Sequence, residues 1–319
     1  MISRTSVALL AAFWLGPAFF TVSCARTSLP ERWPLTIQYR SASATDTVDL
    51  FLFDTLGARS LDAYQQVCGQ DVYALSCVGP RQLVALSGLG GDRARWAGIR
   101  TYGDLFKLCF SLDRDTPEHP LLAGQVLLED GVVRRATLPL NTLLSFVRIR
   151  SVSCDFSGRP YARESFGNTL IYLQYAGTEC RPLEAGDGPP VCFVNPGRLD
   201  SAAVLALPFP ERLLQRGLGP VGPQRLYPGR EFCCYANPVR EAALGRPVTR
   251  LVLEGTVGKH YCYYPIELPG LEAGCRYDLD ITLLRMGTDD PDIPAGSSTV
   301  RLDVHVHPWD IREVQTVDF

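Results

Sequence analysis

The stretch RPVTRLVLEGTVGKHYCYYPIELPGLEAGCRYDLDITLLRMGTDDPD, residues 246–292, constrains the fold more than any other part of this chain. It divides into three strand-like runs, 248–256, 260–268 and 276–286. Thr256-Val257-Gly258-Lys259 forms a turn between the first two, and Pro269-Gly270 with Ala273-Gly274 breaks the chain before the third. In the third run Tyr277, Leu279, Ile281 and Leu283 alternate with Asp278, Asp280 and Thr282, and Leu284 is the exception. A period of two gives one buried and one wetter face. The expected arrangement is an antiparallel meander packed on a second sheet.

The remaining sequence agrees with an all-β chain. Its 319 residues suit two domains of ordinary size. Pro (24) and Gly (28) are plentiful, strand-like runs recur, and no long helical heptads occur. A formal charge of −3 argues against nucleic acid as a partner and gives no reason to expect an acidic membrane surface.

The N-terminus is a targeting segment. Arg4 precedes an apolar run, 7–20, broken by Gly16-Pro17, and Thr21-Val22-Ser23-Cys24 follows. A small residue before a cysteine at the end of such a run is the bacterial lipoprotein pattern. It predicts a signal peptide over 1–23 and lipidation of Cys24. Thr21 stands where Leu is usual. The alternative is an uncleaved anchor, because the apolar run approaches spanning length.

After Cys24, ten of the 11 cysteines remain. No C-x-x-C pair marks a metal site, and Cys233-Cys234 are adjacent. Cys109, Cys192 and Cys262 sit among apolar residues, where a thiol behaves as a small hydrophobe. Free core cysteines and one or more disulfides both remain open for an exported chain.

In chain order, 33–40 is a first strand and VDLFLFD, 48–54, a second, apolar enough for the middle of a sheet. Residues 72–86 hold two strands split by Gly79-Pro80. The Gly-rich 87–91 segment has neither spacing nor helix for a phosphate loop. Residues 102–110 form a helical turn or a short strand. Residues 121–130 and 132–140 read as a hairpin around Gly131, and 143–152 alternates. Residues 181–230, rich in Gly and Pro, read as a loop insertion with a short helix over 202–214. Residues 299–306 form a strand with Val300, Leu302, Val304 and Val306 on one face, and 310–319 is a candidate last strand carrying Val317 and Phe319.

No catalytic constellation emerges. G-x-S-x-G is absent. His305 and His307 share a strand face, but two imidazoles without a third ligand nearby fit a solvated face better than a metal site. Asp289, Asp290 and Asp292 lack the calcium-loop pattern. Tyr261, Tyr263, Tyr264 and Trp309 raise the question of a sugar platform, although alternation puts Tyr264 opposite Tyr261 and Tyr263. No cofactor is implied.

The wording TRLVLEG, YYPIEL, YDLDITLLRMGTDDPD and the final Trp309, with LFLFD opening the chain, resembles the Bacteroidia-type fimbrillins. These are lipoprotein subunits and anchors of donor-strand, type V pili. The resemblance implies two transthyretin-like β-sandwich domains in tandem, 24–130 and 131–319. It implies a subunit, anchor or tip of a fimbrium on the outer membrane, with other pilin subunits as partners. It implies trypsin-type cleavage after a basic residue ending the first strand, which Arg40 matches. It implies that a C-terminal strand, 299–306 or 310–319, fills the groove of a neighbour. Anchor members keep the first strand. The competing reading is a surface adhesin or glycan-binding lipoprotein on the same scaffold, with a host or bacterial surface glycan or protein as partner.

Overall fold

The computed structural model describes residues 32–40, 47–68, 71–77, 79–90, 93–128, 135–183, 192–194, 213–217, 219, 221, 226–244 and 246–309. The early strands are β1 (Arg32–Arg40), β2 (Thr47–Asp54), β3 (Leu61–Cys68), β4 (Asp71–Cys77) and β5 (Arg81–Ser87). A 3-10 turn (Arg93–Trp96) and helix α1 (Tyr102–Phe106) lead into β6 (Phe110–Ser111), β7 (Leu122–Leu128), β8 (Arg135–Pro139) and β9 (Asn141–Thr142). Then come β10 (Leu144–Cys154), β11 (Phe166–Gln174), β12 (Ala176–Cys180), β13 (Cys192–Val194), β14 (Leu214–Arg216) and β15 (Leu226–Tyr235). The last four are β16 (Arg250–Val257), β17 (His260–Glu267), β18 (Cys275–Leu283) and β19 (Val300–Pro308).

Four sheets result. The first half holds a five-stranded sheet, β3-β2-β5-β7-β9, and a three-stranded sheet, β4-β1-β8. The second half holds a seven-stranded sheet, β13-β12-β15-β10-β18-β19 with β6 beside β12, and a four-stranded sheet, β14-β11-β16-β17. Pairing passes from the first two sheets to the second two between Thr142 and Leu144, because β8 pairs with β1 and β9 with β7. The expected boundary at Gly131 lies outside the described residues.

β2 takes the central place its composition suggests. Val48, Leu50 and Leu52 join Leu83, Ala85, Ala136 and Leu138 in one core cluster. Phe51 and Phe53 point the other way, with Val84 and Leu86, into a larger cluster that includes Trp96, Ile99 and Leu105 and continues into the second pair of sheets. A strand buried on both faces needs a continuous apolar run, and Leu50-Phe51-Leu52-Phe53 supplies one, while the buried Asp49 before it accepts hydrogen bonds from the Tyr64 hydroxyl and the Gln66 amide. The Thr101–Asp104 capping box fixes the start of α1 and lets Leu105 reach that core.

Several expectations are corrected. The third run of the opening stretch does not complete a meander. β16 and β17 form a hairpin in the four-stranded sheet, whereas β18 crosses to the seven-stranded sheet and pairs parallel with β10. Residues 268–274 carry the chain over the end of the sandwich. Gly270 passes close to Pro238, where a Cβ would stand 2.5 Å from the carbonyl oxygen. The 121–140 hairpin is likewise absent, because β7 and β8 belong to different sheets. β15 begins at Leu226, inside the supposed loop region, and lies between β12 and β10. Its Pro228-Gly229 falls where the pairing with β10 shifts register, between Ile149 and Ser151. A proline tolerated at an irregularity hides a strand from composition. Of the predicted 202–214 helix only 213–214 is described, and Leu214 opens β14.

The alternation in β10 holds over 147–150, where Val147 and Ile149 are fully buried, Arg148 is half-buried and Arg150 is exposed. Phe146, on the arginines' face, is fully buried, and Arg148 pairs with Asp278, itself only 3 % exposed.

Candidate functional site

The first strand and its seat form the feature most able to serve an interaction. β1 runs antiparallel to β4, from Arg32 opposite Cys77 to Gln38 opposite Asp71. On its other side it runs parallel to β8, from Thr36 opposite Arg135 to Arg40 opposite Pro139. Among the described residues β1 is the only strand paired with either. β1 therefore joins two strands that do not pair with each other. Its removal would leave two facing rows of unpaired backbone groups, which is the condition for β-augmentation. Beside them lies the cluster of Val48, Leu50, Leu52, Leu83, Ala85, Ala136 and Leu138. Arg40 is the last residue of the strand, and 41–46 lies outside the described residues.

At the opposite end of the chain, β19 pairs along its whole length with β18, from Val300 opposite Leu283 to Pro308 opposite Cys275. It is an edge strand of its own sheet. Val300 is buried, Leu302 and Val304 are half-buried, and Val306 is 53 % exposed. Trp309 follows and stacks on Phe146, with ring centroids 4.3 Å apart and planes within 13°. This stack fixes the point from which 310–319 leaves; Val317 and Phe319, like Cys24, lie outside the described residues.

The histidines occupy the charged face of this edge. His305 Nε2 is 3.7 Å from Asp280 Oδ2, and His307 Nε2 is 3.8 Å from Asp278 Oδ2. No metal-ligating group of three or more side chains occurs among the described residues.

The aromatic residues do not assemble into one platform. Tyr264 is fully buried and donates its hydroxyl hydrogen to the Arg285 carbonyl at 3.0 Å. Tyr261 is half exposed, meets Tyr263 edge-on at 5.5 Å and donates to Glu254. Trp309 belongs to the other sheet of the pair.

Cys68, Cys109, Cys154, Cys180, Cys233, Cys234, Cys262 and Cys275 are unbridged. Cys154, Cys180, Cys233, Cys234 and Cys262 are buried, whereas Cys68 and Cys109 are exposed. Exposure of Cys109 corrects its expected place among core thiols. Burial pushes the Cys154 thiol up to about 11 and the Cys234 thiol up to about 12, so these remain neutral packing groups at physiological pH.

Sequence reading did not find the polar seam between the two halves. A cavity of about 500 Å³ opens there, lined by the loop after β5, by residues 109–115 and by Tyr235 of β15. The only sequence signal was an aspartate, Asp115, within a segment that reads as a polar linker.

Comparisons with known proteins place this geometry. No family model matches the chain, and no curated protein matches it. Solved structures do. The fimbrilin FimA of Porphyromonas gingivalis has a TM-score of 0.58 at 12% identity, covering 87% of this chain and 97% of that one. A Bacteroides eggerthii protein named for cell adhesion gives 0.59 at 18% identity, with 88% and 97% covered. The tip fimbrial protein Mfa3 of Porphyromonas gingivalis gives 0.53 at 12% identity, with 88% and 100% covered.

The fold is that of the fimbrillins. In this fold the first described strand joins β4 and β8, and the last described strand is a sheet edge. No described helix is long and apolar enough to cross a membrane.

Proposed function

We propose that this chain is a structural component of a cell-surface pilus, assembled by β-strand donation between subunits and held to the outer membrane by a lipid on Cys24. The observation that carries the reading is the position of β1 as the sole strand partner, among the described residues, of both β4 and β8. Loss of β1 after Arg40 opens a slot for an incoming strand, whose backbone supplies affinity and whose alternate side chains supply register. The fimbrilin and the tip fimbrial protein with this fold support the same role.

Residues 310–319, with Val317 and Phe319, are the better donor candidate. For β19 to donate through Val300, Leu302, Val304 and Val306, its entire ladder with β18 would have to break. Donation by 310–319 leaves that ladder, which ends at Pro308, intact. The intact mass of the surface protein from its native cells tests the reading. A lipid-bearing species beginning at Cys24 marks an anchor, and a species beginning at Ser41 marks a polymerising subunit. An unlipidated chain that retains residues 1–23 contradicts both.

A second reading, a surface adhesin on the same scaffold, is favoured by the cell-adhesion protein of the same fold and by the polar cavity between the halves.

A further inference from the structure

The cavity at the seam has a composition that selects among ligands. Its volume, about 500 Å³, falls within the ~300–1,000 Å³ range of small-ligand clefts, and its position between two packed halves is where such clefts concentrate. Its location follows from the topology. The short strand β6 leaves the first half to pair with β12, Ser111 opposite Glu179 and Phe110 opposite Cys180. The 112–121 segment then returns to the first half, and Tyr235 of β15 closes the gap.

Asp115 is 3 % exposed, and one of its carboxylate oxygens accepts the Leu121 N–H at 2.8 Å. The Tyr235 hydroxyl lies against the same carboxylate and the Cys180 thiol; burial and that carboxylate push its pKa up, so it remains protonated with its hydrogen directed at Asp115. Nearer the opening, the Arg95 guanidinium covers the Phe110 ring at 4.5 Å, and Arg114 Nε is 3.9 Å from Asp113 Oδ2. Ser111 adds a hydroxyl to the wall.

Two arginines and two aspartates give this lining no net charge. A bare anion entering it would face Asp113 and Asp115, and a bare cation would face Arg95 and Arg114. A ligand whose groups both donate and accept meets neither penalty. Carboxylates take its hydroxyl hydrogens, and guanidinium N–H groups bond its oxygens. We propose that this seam cavity binds a neutral saccharide of about disaccharide size, with Asp115 as the buried acceptor and Arg95 and Arg114 as donors at the mouth. The proposal rests on the adhesin reading and is independent of strand donation.

Saturation-transfer NMR and calorimetry on the full mature chain test it, with lactose, maltose, cellobiose and N,N′-diacetylchitobiose as probes and inorganic phosphate and ethylammonium as charged controls. The expected result is binding of at least one disaccharide and of neither charged control. Asp115→Asn should weaken that binding about tenfold or more, as should Arg95→Gln, because each loses a charge-assisted hydrogen bond. Arg114→Ala changes an exposed side chain, so it guards against a result that merely reports misfolding, and it should also weaken binding. His305→Ala, on the far edge strand, should leave it unchanged. Binding that survives all three cavity substitutions puts the saccharide elsewhere: it overturns this site and leaves the adhesin reading standing. No binding of any disaccharide overturns the saccharide site and leaves only an adhesin with a protein partner standing. Tighter binding of phosphate or ethylammonium than of the disaccharides overturns the assignment of ligand class.

Discussion

Asp278 is a carboxylate with almost no exposure, surrounded by Arg148, Arg276 and His307. Arg148 reaches it with two nitrogens, Nε at 2.9 Å. Removing one partner of such a pair strands a buried charge. Asp278→Ala should therefore lower stability by about 3 kcal/mol or more in urea unfolding. The outer pair, Arg150 with Asp280, has side chains 48% and 27% exposed, and Arg150→Ala should cost no more than ~1 kcal/mol. Thiols give a second residue-scale prediction. In the native protein Cys68 and Cys109 should react with a thiol reagent at neutral pH, and buried Cys154 and Cys234 only after unfolding. Because folding raises the Cys154 pKa to about 11, its protonated form is favoured in the native state. The associated stability is fully present below the ordinary thiol pKa and is lost as pH rises through about 11. Unfolding midpoints that rise over that alkaline range would contradict this sign.

At the scale of the element, β2 was legible because both of its faces are buried and Leu50 to Phe53 are continuously apolar. The β16–β17 hairpin was legible because Gly258, with φ of +60°, supplies the tight turn. The destination of β18 was not, because a period of two reports which faces are buried and not which sheet a strand joins. β15 was hidden by Pro228-Gly229, and Asp278 was read as a solvent-facing residue because its partner, Arg148, lies 130 residues away. Phe51 is fully buried between Phe53, Tyr64 and Trp96, with centroids at 6.2, 5.2 and 5.2 Å. Phe51→Ala should cost about 3–5 kcal/mol in chemical denaturation. Arg40→Ala should abolish trypsin-type cleavage at that bond, read by mass spectrometry.

For the whole molecule, the two pairs of sheets share one continuous apolar cluster, from Phe51 and Trp96 through Phe146 to Leu283. We propose a division into two tandem sandwich domains that unfold together because of this shared core. Limited proteolysis in the 129–134 segment should leave both halves associated, and separation of two independently folded fragments would count against it. The all-β class was legible from strand signals repeated along the chain. The polar seam was not, because Asp115 and Tyr235 are brought together only by β6 pairing across to β12. The central claim is that β1 is a removable strand whose place another subunit fills. Its most direct test is trypsin-type treatment of the mature chain followed by light scattering on a sizing column. The account predicts a body beginning at Ser41 that keeps its β-sheet circular dichroism and forms oligomers, and that stays monomeric when 310–319 is deleted. A clipped body that unfolds, or that remains monomeric with its tail intact, would contradict it.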